Sequence, residues 1–487
     1  MKSTSFREAS YDSSSALSIY EYSRFLIGNS LRSLLKEDFP SKSRAGKGGL
    51  GQMVEELFFG YSVNSSREAD FTTAGVELKC TPLLSSKNQE DYRIKERLVC
   101  TMIDYFEIVN TKFDDSHLYS KCRLMLLLFY LHVKGQDIGD YEFLFRVLWK
   151  IPEKDLLIIA RDYERIAEKV KRGEAHLLSE GDTLYLGACR KGQKGDKPQE
   201  QPYSDIPANR RAFSLKPSYV RQILRIVKES GKNHYSNYAE ATVPEFELAD
   251  AEAMAKSGLE DILLCRFNAY LGLDYLQICD RLGIEPYQSK SKYADVCGLI
   301  ASEGVGKRLS KAEEFIKSGI SVKTVRLRSN GMPKESISFK NIDYREVFEN
   351  DSWIDSELYE IFTGRFMFVV FRPVPGRKIN IYNRKRGLYV EEDAYVLDKV
   401  FFWTMPASDL KHARVYWEQI RANVMANRIR LDAFWSISDG KRFHVRPKAA
   451  LKTSKAENPH GGECDKYCYW FNADYVKEII DSSGNEH

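Results

Sequence analysis

The chain has 487 residues, 43% of them hydrophobic and 29% charged, and its 73 Lys and Arg against 69 Asp and Glu leave a formal net charge of +4. That length is more than one hydrophobic core usually serves, so two domains are expected, and the composition reads as globular and soluble. No apolar run is long enough to span a bilayer, and the charge is too mild to argue for nucleic acid by itself. The opening "MKSTSFREASYDSSS" lacks the apolar stretch of a signal peptide, and the nine cysteines show no paired framework. Reduced thiols and a cytoplasmic location with no membrane contact are expected.

In chain order, "GLGQMVEELFFGY" (residues 49–61) repeats Leu50, Val54, Leu57 and Phe58 at helical spacing. "ADFTTAGVELKCTP" (residues 69–82) then reads as a turn at Gly75 and a short strand from Val76. "RLMLLLFYLHV" (residues 123–133) is too short to cross a membrane and reads as a buried strand. Pro152 opens an amphipathic helix, as proline does in a first turn. "ACRKGQKGDK" (residues 188–197) carries four basic residues on a Gly-containing loop, and "GKRFHVRPKAALKTSK" (residues 440–455) carries six with no acid. Such loops suit phosphate contacts, although plain solvation also explains them.

The chain also repeats itself. "AGVELKCTPL" lines up with "SGISVKTVRL", and "RLMLLLFY" with "RFMFVVFR". "LWKIPEKDLLIIARDYERI" matches "FWTMPASDLKHARVYWEQI" without a gap, and "AFSLKPSYVRQIL" matches "CYWFNADYVKEII". Four blocks in one order predict two copies of a mixed α/β module, residues 1–235 and 258–487, joined by a polar linker at 236–257.

Alternation along Val76–Cys80 puts Glu77 and Lys79 on one face and Val76 and Leu78 on the other. If Asp70 pairs back across the turn, it approaches Glu77. Two close carboxylates repel and call for a cation; Mg²⁺ fits, held by one or two carboxylates plus water and phosphate oxygens. Such a metal activates water and polarises a phosphate, and a neighbouring lysine steadies the charge that grows on it. Asp, six residues, Glu, one residue, Lys is thus a pattern suited to cleaving phosphodiesters. The bare triplet is a weak signal, because an acid two residues before a lysine is common.

"KGGLGQMVEELFFG" followed by "SREADFTTAGVELKCTP" closely resembles MutH, the strand-nicking nuclease of mismatch repair. It equally resembles the MutH-like type II restriction endonucleases that cut at GATC. The resemblance extends to "SHLYSKCRLMLLLFY" and "YLGACRKGQ". It implies a restriction-endonuclease-like fold in two tandem modules, with Asp70 and Glu77 as metal ligands and Lys79 as the catalytic lysine. It places Glu55 at a further active-site glutamate, with Glu56 as the alternative register, and Lys121 at a lysine close to DNA. Lys191, next to Arg190, falls in the base-reading loop, where the family's Arg-Pro-Lys is replaced by Cys189-Arg190-Lys191. An aromatic near the last strand is replaced by Ser214.

In the second copy Glu314, Ser321 and Lys323 fall opposite Asp70, Glu77 and Lys79, and a serine is a poor substitute for a carboxylate ligand. "HVRPKAALK" keeps the Arg-Pro-Lys pattern, so Arg446 and Lys448 are candidate DNA contacts. The expectation is a Mg²⁺-dependent type II restriction endonuclease cutting both strands of DNA at GATC. Its second copy would be an inactive DNA-binding effector, or a scaffold. A DNA-induced homodimer and a protecting methyltransferase in the same system are the implied partners. A MutH-type nicking enzyme and a DNA-binding protein without catalysis stay open as alternatives. His460, Cys464 and Cys468 recur at four-residue intervals, but a structural zinc site wants a fourth ligand.

Overall fold

The computed structural model describes residues 9–40, 49–61, 68–85, 92–191, 197–229, 245–447 and 455–483. It divides into two compact units, Met1–Val243 and Pro244–His487. The first unit opens with helices α1 (Ala16–Tyr22), α2 (Leu31–Leu35) and α3 (Gly49–Met53). Strands β1 (Glu77–Ser85), β2 (Tyr92–Ile94) and β3 (Leu98–Met102) follow, then α4 (Tyr105–Ile108), α5 (His117–Cys122), β4 (Leu124–Leu131) and β5 (Phe143–Lys150). The unit closes with α6 (Glu153–Lys171), β6 (Leu186–Arg190), β7 (Gln199–Gln201), β8 (Ser204–Ala208), β9 (Arg211–Leu215) and α7 (Pro217–Glu229).

The second unit begins with α8 (Ala251–Ser257), α9 (Leu259–Asn268), α10 (Tyr275–Leu282), α11 (Lys292–Ala301) and α12 (Glu313–Ser318). Then come β10 (Ser321–Arg326), β11 (Ile337–Asn341), α13 (Tyr344–Glu349), α14 (Glu357–Thr363), β12 (Arg365–Asn383) and β13 (Leu388–Thr404). It ends with α15 (Ala407–Met425), β14 (Phe443–Arg446), β15 (Lys455–Glu457), β16 (Glu463–Asp465), β17 (Cys468–Phe471) and α16 (Ala473–Ser482).

The two units share a plan. In the first, β1 runs parallel to β4, and β4 antiparallel to β5, in a sheet ordered β2–β1–β4–β5. In the second, β10 runs parallel to β12 and β12 antiparallel to β13. A second small sheet is ordered β3–β9–β6 in one unit and β11–β17–β14 in the other, antiparallel throughout. The central strand β4 buries Met125 to Phe129 completely, so its near-continuous apolar run follows from having both faces covered. Its counterpart β12 buries Phe366 to Phe371 in the same way.

Local chemistry repeats as well. Ser116 caps α5 by accepting from the Tyr119 N–H at 3.1 Å, and Ser356 caps α14 by accepting from Tyr359 at 3.1 Å. Pro152 and Pro406 occupy the N-caps of α6 and α15, which are 19 residues each.

Two features differ from the sequence reading. Residues 236–257 were expected to be linker, but their C-terminal part is folded. Phe246 bridges Ala312, Leu248 is buried, and the Asp250 side chain caps α8 by accepting from Ala253 at 2.7 Å. Two apolar anchors and a local cap are enough to order this polar segment. The second unit also extends its hairpin: β12 and β13 have 19 and 17 residues, against 8 each for β4 and β5.

Candidate active site

The turn before β1 is closed by an isolated bridge between Phe71 and Val76, with Gly75 at φ +65°. An ordinary side chain is strained at that angle, which is why glycine stands there. The bridge brings Asp70 alongside β1, where its Oδ2 accepts from the Leu78 N–H at 2.8 Å. Val76 and Leu78 are buried, as alternation predicts, but Glu77 on the opposite face is only 2% exposed. The face that carries Glu77 is thus covered as well, and two lysine side chains reach over it.

Glu77 is held by two lysines. Lys79 Nζ donates to its Oε1 at 2.6 Å, and Lys121 Nζ, from the last turn of α5, lies 3.3 and 3.2 Å from its two oxygens. Burial alone would lower Lys79; the Glu77 carboxylate outweighs it and holds the ammonium above its ordinary value. Asp70 is raised, first by burial and then by the charge of Glu77, while the Leu78 N–H and the two lysines oppose the rise.

Glu55 joins this group from a π-helical turn, Val54–Phe58, that continues α3. A π-turn inside a helix is uncommon and is found most often at functional sites. Burial, followed by the charge of Asp70, pushes the Glu55 carboxyl up to about 7, with Lys79 opposing and Glu77 adding. The structure therefore brings together Asp70, Glu77, Lys79, Lys121 and Glu55 from four local segments.

Tyr61 was not foreseen. Its ring meets Phe71 edge-on at 5.1 Å, and burial, then the charges of Asp70 and Glu55, raise its hydroxyl far above the ordinary value. That hydroxyl has no hydrogen-bond partner among the described residues. The available signal was its place just past the helical run, where its N–H bonds the Glu55 carbonyl at 3.1 Å.

Among the described residues no group of three or more His, Cys, Asp or Glu is arranged to hold a metal ion. The pair Asp70 and Glu77 nonetheless fits a hard dication that keeps several waters. Both are oxygen donors, and their mutual repulsion is the kind a cation relieves.

Arg190 ends β6, exposed, and donates to Asn209 Oδ1 at 3.1 Å; the Lys191 N–H bonds the Arg210 carbonyl at 2.9 Å. They extend from the β3–β9–β6 sheet rather than the sheet that carries Glu77. Ser214, on β9, is buried.

In the second unit, Lys323 lies over the Phe339 ring at 4.1 Å and within 3.4 Å of the Ser338 carbonyl. Glu314 does not take the place of Asp70. It sits on α12 and accepts from the Leu248 and Ala249 N–H groups at 2.8 and 3.2 Å. The segment "ELYEIFT" of α14 has no lysine where α5 supplies Lys121. Arg446 is exposed at the end of β14 with its guanidinium 4.6 Å above the Trp470 ring. Lys448 lies outside the described residues.

The zinc reading fails on geometry. His460 Nε2 pairs with the Val424 carbonyl at 2.8 Å, Cys464 faces the Ala456 and Glu457 carbonyls, and Cys468 contacts Asn341. Each residue turns to a different partner, because the strands β16 and β17 belong to different sheets.

Comparison with known proteins accords with this arrangement. The family model of the DNA mismatch repair enzyme MutH matches residues 59–162, a span that holds Asp70, Glu77, Lys79 and Lys121. MutH proteins of Shewanella baltica and of another Shewanella strain are 24% and 26% identical over 221 and 197 residues. Those alignments cover 43% and 39% of this chain but 94% and 83% of the MutH proteins. The N-terminal unit, with its site, is thus similar to the MutH nucleases. Type II restriction enzyme Sau3AI of Staphylococcus aureus is 28% identical over 498 residues, 92% of this chain and 96% of that enzyme. That likeness runs through nearly the whole chain, and so through both modules.

Proposed function

We propose that the chain cuts both strands of duplex DNA at GATC in a Mg²⁺-dependent reaction. The N-terminal module carries the chemistry, and the C-terminal module binds DNA without cutting. The observation that carries this reading is the buried Glu77 carboxylate gripped by Lys79 and Lys121, with the raised carboxyls of Asp70 and Glu55 alongside. GATC is the target that the resemblance implies.

Asp70 and Glu77 would hold Mg²⁺, which when bound supplies a polarised phosphate and a water of lowered pKa. Lys79 and Lys121, which hold the Glu77 carboxylate in the absence of metal, would be held less tightly with that carboxylate shared. Lys79, on the same face, is then positioned to donate to a phosphate oxygen or to orient the attacking water. Glu55, with its carboxyl at about 7, can take up or give back a proton near neutral pH. Lys121 adds positive charge where the DNA strand would pass.

Loss of chemistry in the C-terminal module is supported by Ser321 in place of a carboxylate, by Lys323 packed on Phe339, and by Glu314 spent on the 248–249 backbone. Arg446 remains exposed for DNA, and Arg190 and Lys191 are the corresponding contacts in the first module. One active module per chain implies that two chains meet on the palindrome, a DNA-induced homodimer. A methyltransferase in the same system would protect the host.

Plasmids with one and with several GATC sites, incubated with protein and Mg²⁺, test this. Linear fragments ending at GATC, formed faster on the multi-site plasmid, are expected. Nicks confined to half-methylated DNA would move the protein to the MutH-type repair reading, and binding without any cleavage would remove the catalytic one.

A further inference from the structure

We propose that the tip of the β12–β13 hairpin, through Arg384, Lys385 and Arg386, grips the phosphate backbone of duplex DNA without regard to sequence. The proposal rests on the reading of the C-terminal module as a DNA-binding copy, and names a part of it that the first module lacks.

The hairpin leaves its sheet early. β10 pairs with β12 only as far as Phe371, whereas β12 and β13 stay paired out to Asn383 and Leu388. The base of this arm is clamped. The Gly272 N–H bonds the Leu397 carbonyl at 2.8 Å, and the Leu397 N–H bonds the Leu273 carbonyl at 2.9 Å. Ile379 and Ile381 are buried along the shaft. The shaft's own cations are neutralised: Arg377 pairs with Asp274, and Lys378 with Asp393 at 2.5 Å.

The tip is different. Residues 379–390 contain three cations and no acid. Arg384, Lys385 and Arg386 are all exposed, and among the described residues none has a carboxylate within salt-bridge distance. The first acid beyond them, Glu391, faces Asn380 across the hairpin. The turn itself is well defined. Asn383 Oδ1 accepts from the Lys385 and Arg386 N–H groups at 3.1 Å each, the Asn383 carbonyl accepts from Gly387 at 2.9 Å, and Gly387 sits at φ +66°.

Three unpaired cations held side by side on an ordered turn repel one another, and a polyanion relieves that. Because the turn is already formed, little backbone freedom is lost on binding. Tyr382 and Tyr389, exposed with ring centroids 5.3 Å apart, flank the turn with hydroxyls that can reach sugar or phosphate oxygens. In the first unit the shorter β4–β5 connection places Asp137 and Asp140 on Arg32 instead, and offers no such cluster.

The test compares the full-length chain with an Arg384→Ala, Lys385→Ala, Arg386→Ala variant, by fluorescence anisotropy on short duplexes with and without GATC. Chelator is present and salt is varied. The expected result is binding about tenfold weaker or more on both duplexes, and a log K against log salt slope shallower by about 2–3. A companion variant with Arg384→Lys and Arg386→Lys keeps the wild-type slope. An unchanged slope overturns the proposal, and so does a loss confined to the GATC duplex. Plasmid cleavage by the wild-type chain is read separately. Cleavage with no slope change sinks the arm and leaves the nuclease; a slope change without any cleavage keeps the arm and sinks the nuclease.

Discussion

The Tyr219 hydroxyl donates to the Asp155 carboxylate at 2.7 Å, tying α7 to the first turn of α6. Tyr475 repeats the contact on Asp409 at 2.7 Å, between α16 and α15. Both carboxylates are buried, and Asp409 is also paired with Arg442. Tyr219→Phe should therefore lower stability by about 1–3 kcal/mol, the usual loss when a buried polar group gives up its hydrogen bond. Tyr475→Phe should act in the same direction, with Arg442 staying on its acid. Urea unfolding measures both, and an unchanged midpoint in Tyr219→Phe would refute the role given to the pair.

Lys79→Ala should slow cleavage by about 10²–10³-fold, the loss seen when one charge-stabilising donor is removed. Duplex binding in the absence of divalent ions should survive. Lys121→Ala should slow cleavage less, since Lys79 still reaches Glu77. Plasmid cleavage time courses beside gel-shift binding separate these effects, and cleavage that persists in Glu77→Ala would remove the site assignment.

Ser321→Glu should not create a second cutting centre. The new carboxylate would face Lys323, but α14 offers no lysine and Glu314 is engaged with the 248–249 backbone. In a Glu77→Ala background the added glutamate should leave cleavage absent. Recovered cleavage would mean that the second module lost nothing but its acid.

Glu55 makes a pH prediction for metal-depleted protein. Its carboxyl lies at about 7 in the folded chain, above its ordinary value of 4.5. Between those values the folded state keeps a proton that the unfolded chain has released. The contribution is therefore full below 4.5, falls as pH rises, and is gone above about 7. Asp70, also raised, adds in the same direction. Denaturation midpoints in chelator should decline across this window, and Glu55→Gln should flatten the decline. A midpoint that rises with pH there would contradict the burial of these acids.

The repeat, the two central strands and the group Asp70, Glu77 and Lys79 were all legible because each rests on short-range pattern. Period-two alternation and a glycine at a turn act within a few residues. The π-turn under Glu55 was not legible, since "GLGQMVEELFFGY" carries an ordinary helical spacing and the extra residue per turn is imposed by packing. Residue-type alignment put Glu314 opposite Asp70, yet α12 forms there and its acid is drawn to N–H groups more than sixty residues earlier. The hairpin arm escaped notice for a related reason. Its strands run past the end of their sheet, a length that no short-range pattern announces.

The unequal fate of the two carboxylate positions gives the halves of this chain different thermodynamic handles. In the first, acids and lysines share one buried cluster, so proton activity and any bound dication both enter its folding equilibrium by mass action. In the second, Lys323 rests on an aromatic face, and the proposed assignment gives that position no dication. Under the proposed assignment, stripping and restoring Mg²⁺ should shift the melting of one half and leave the other still, so that a calorimeter can tell the working copy from its silent twin without a single phosphodiester being broken.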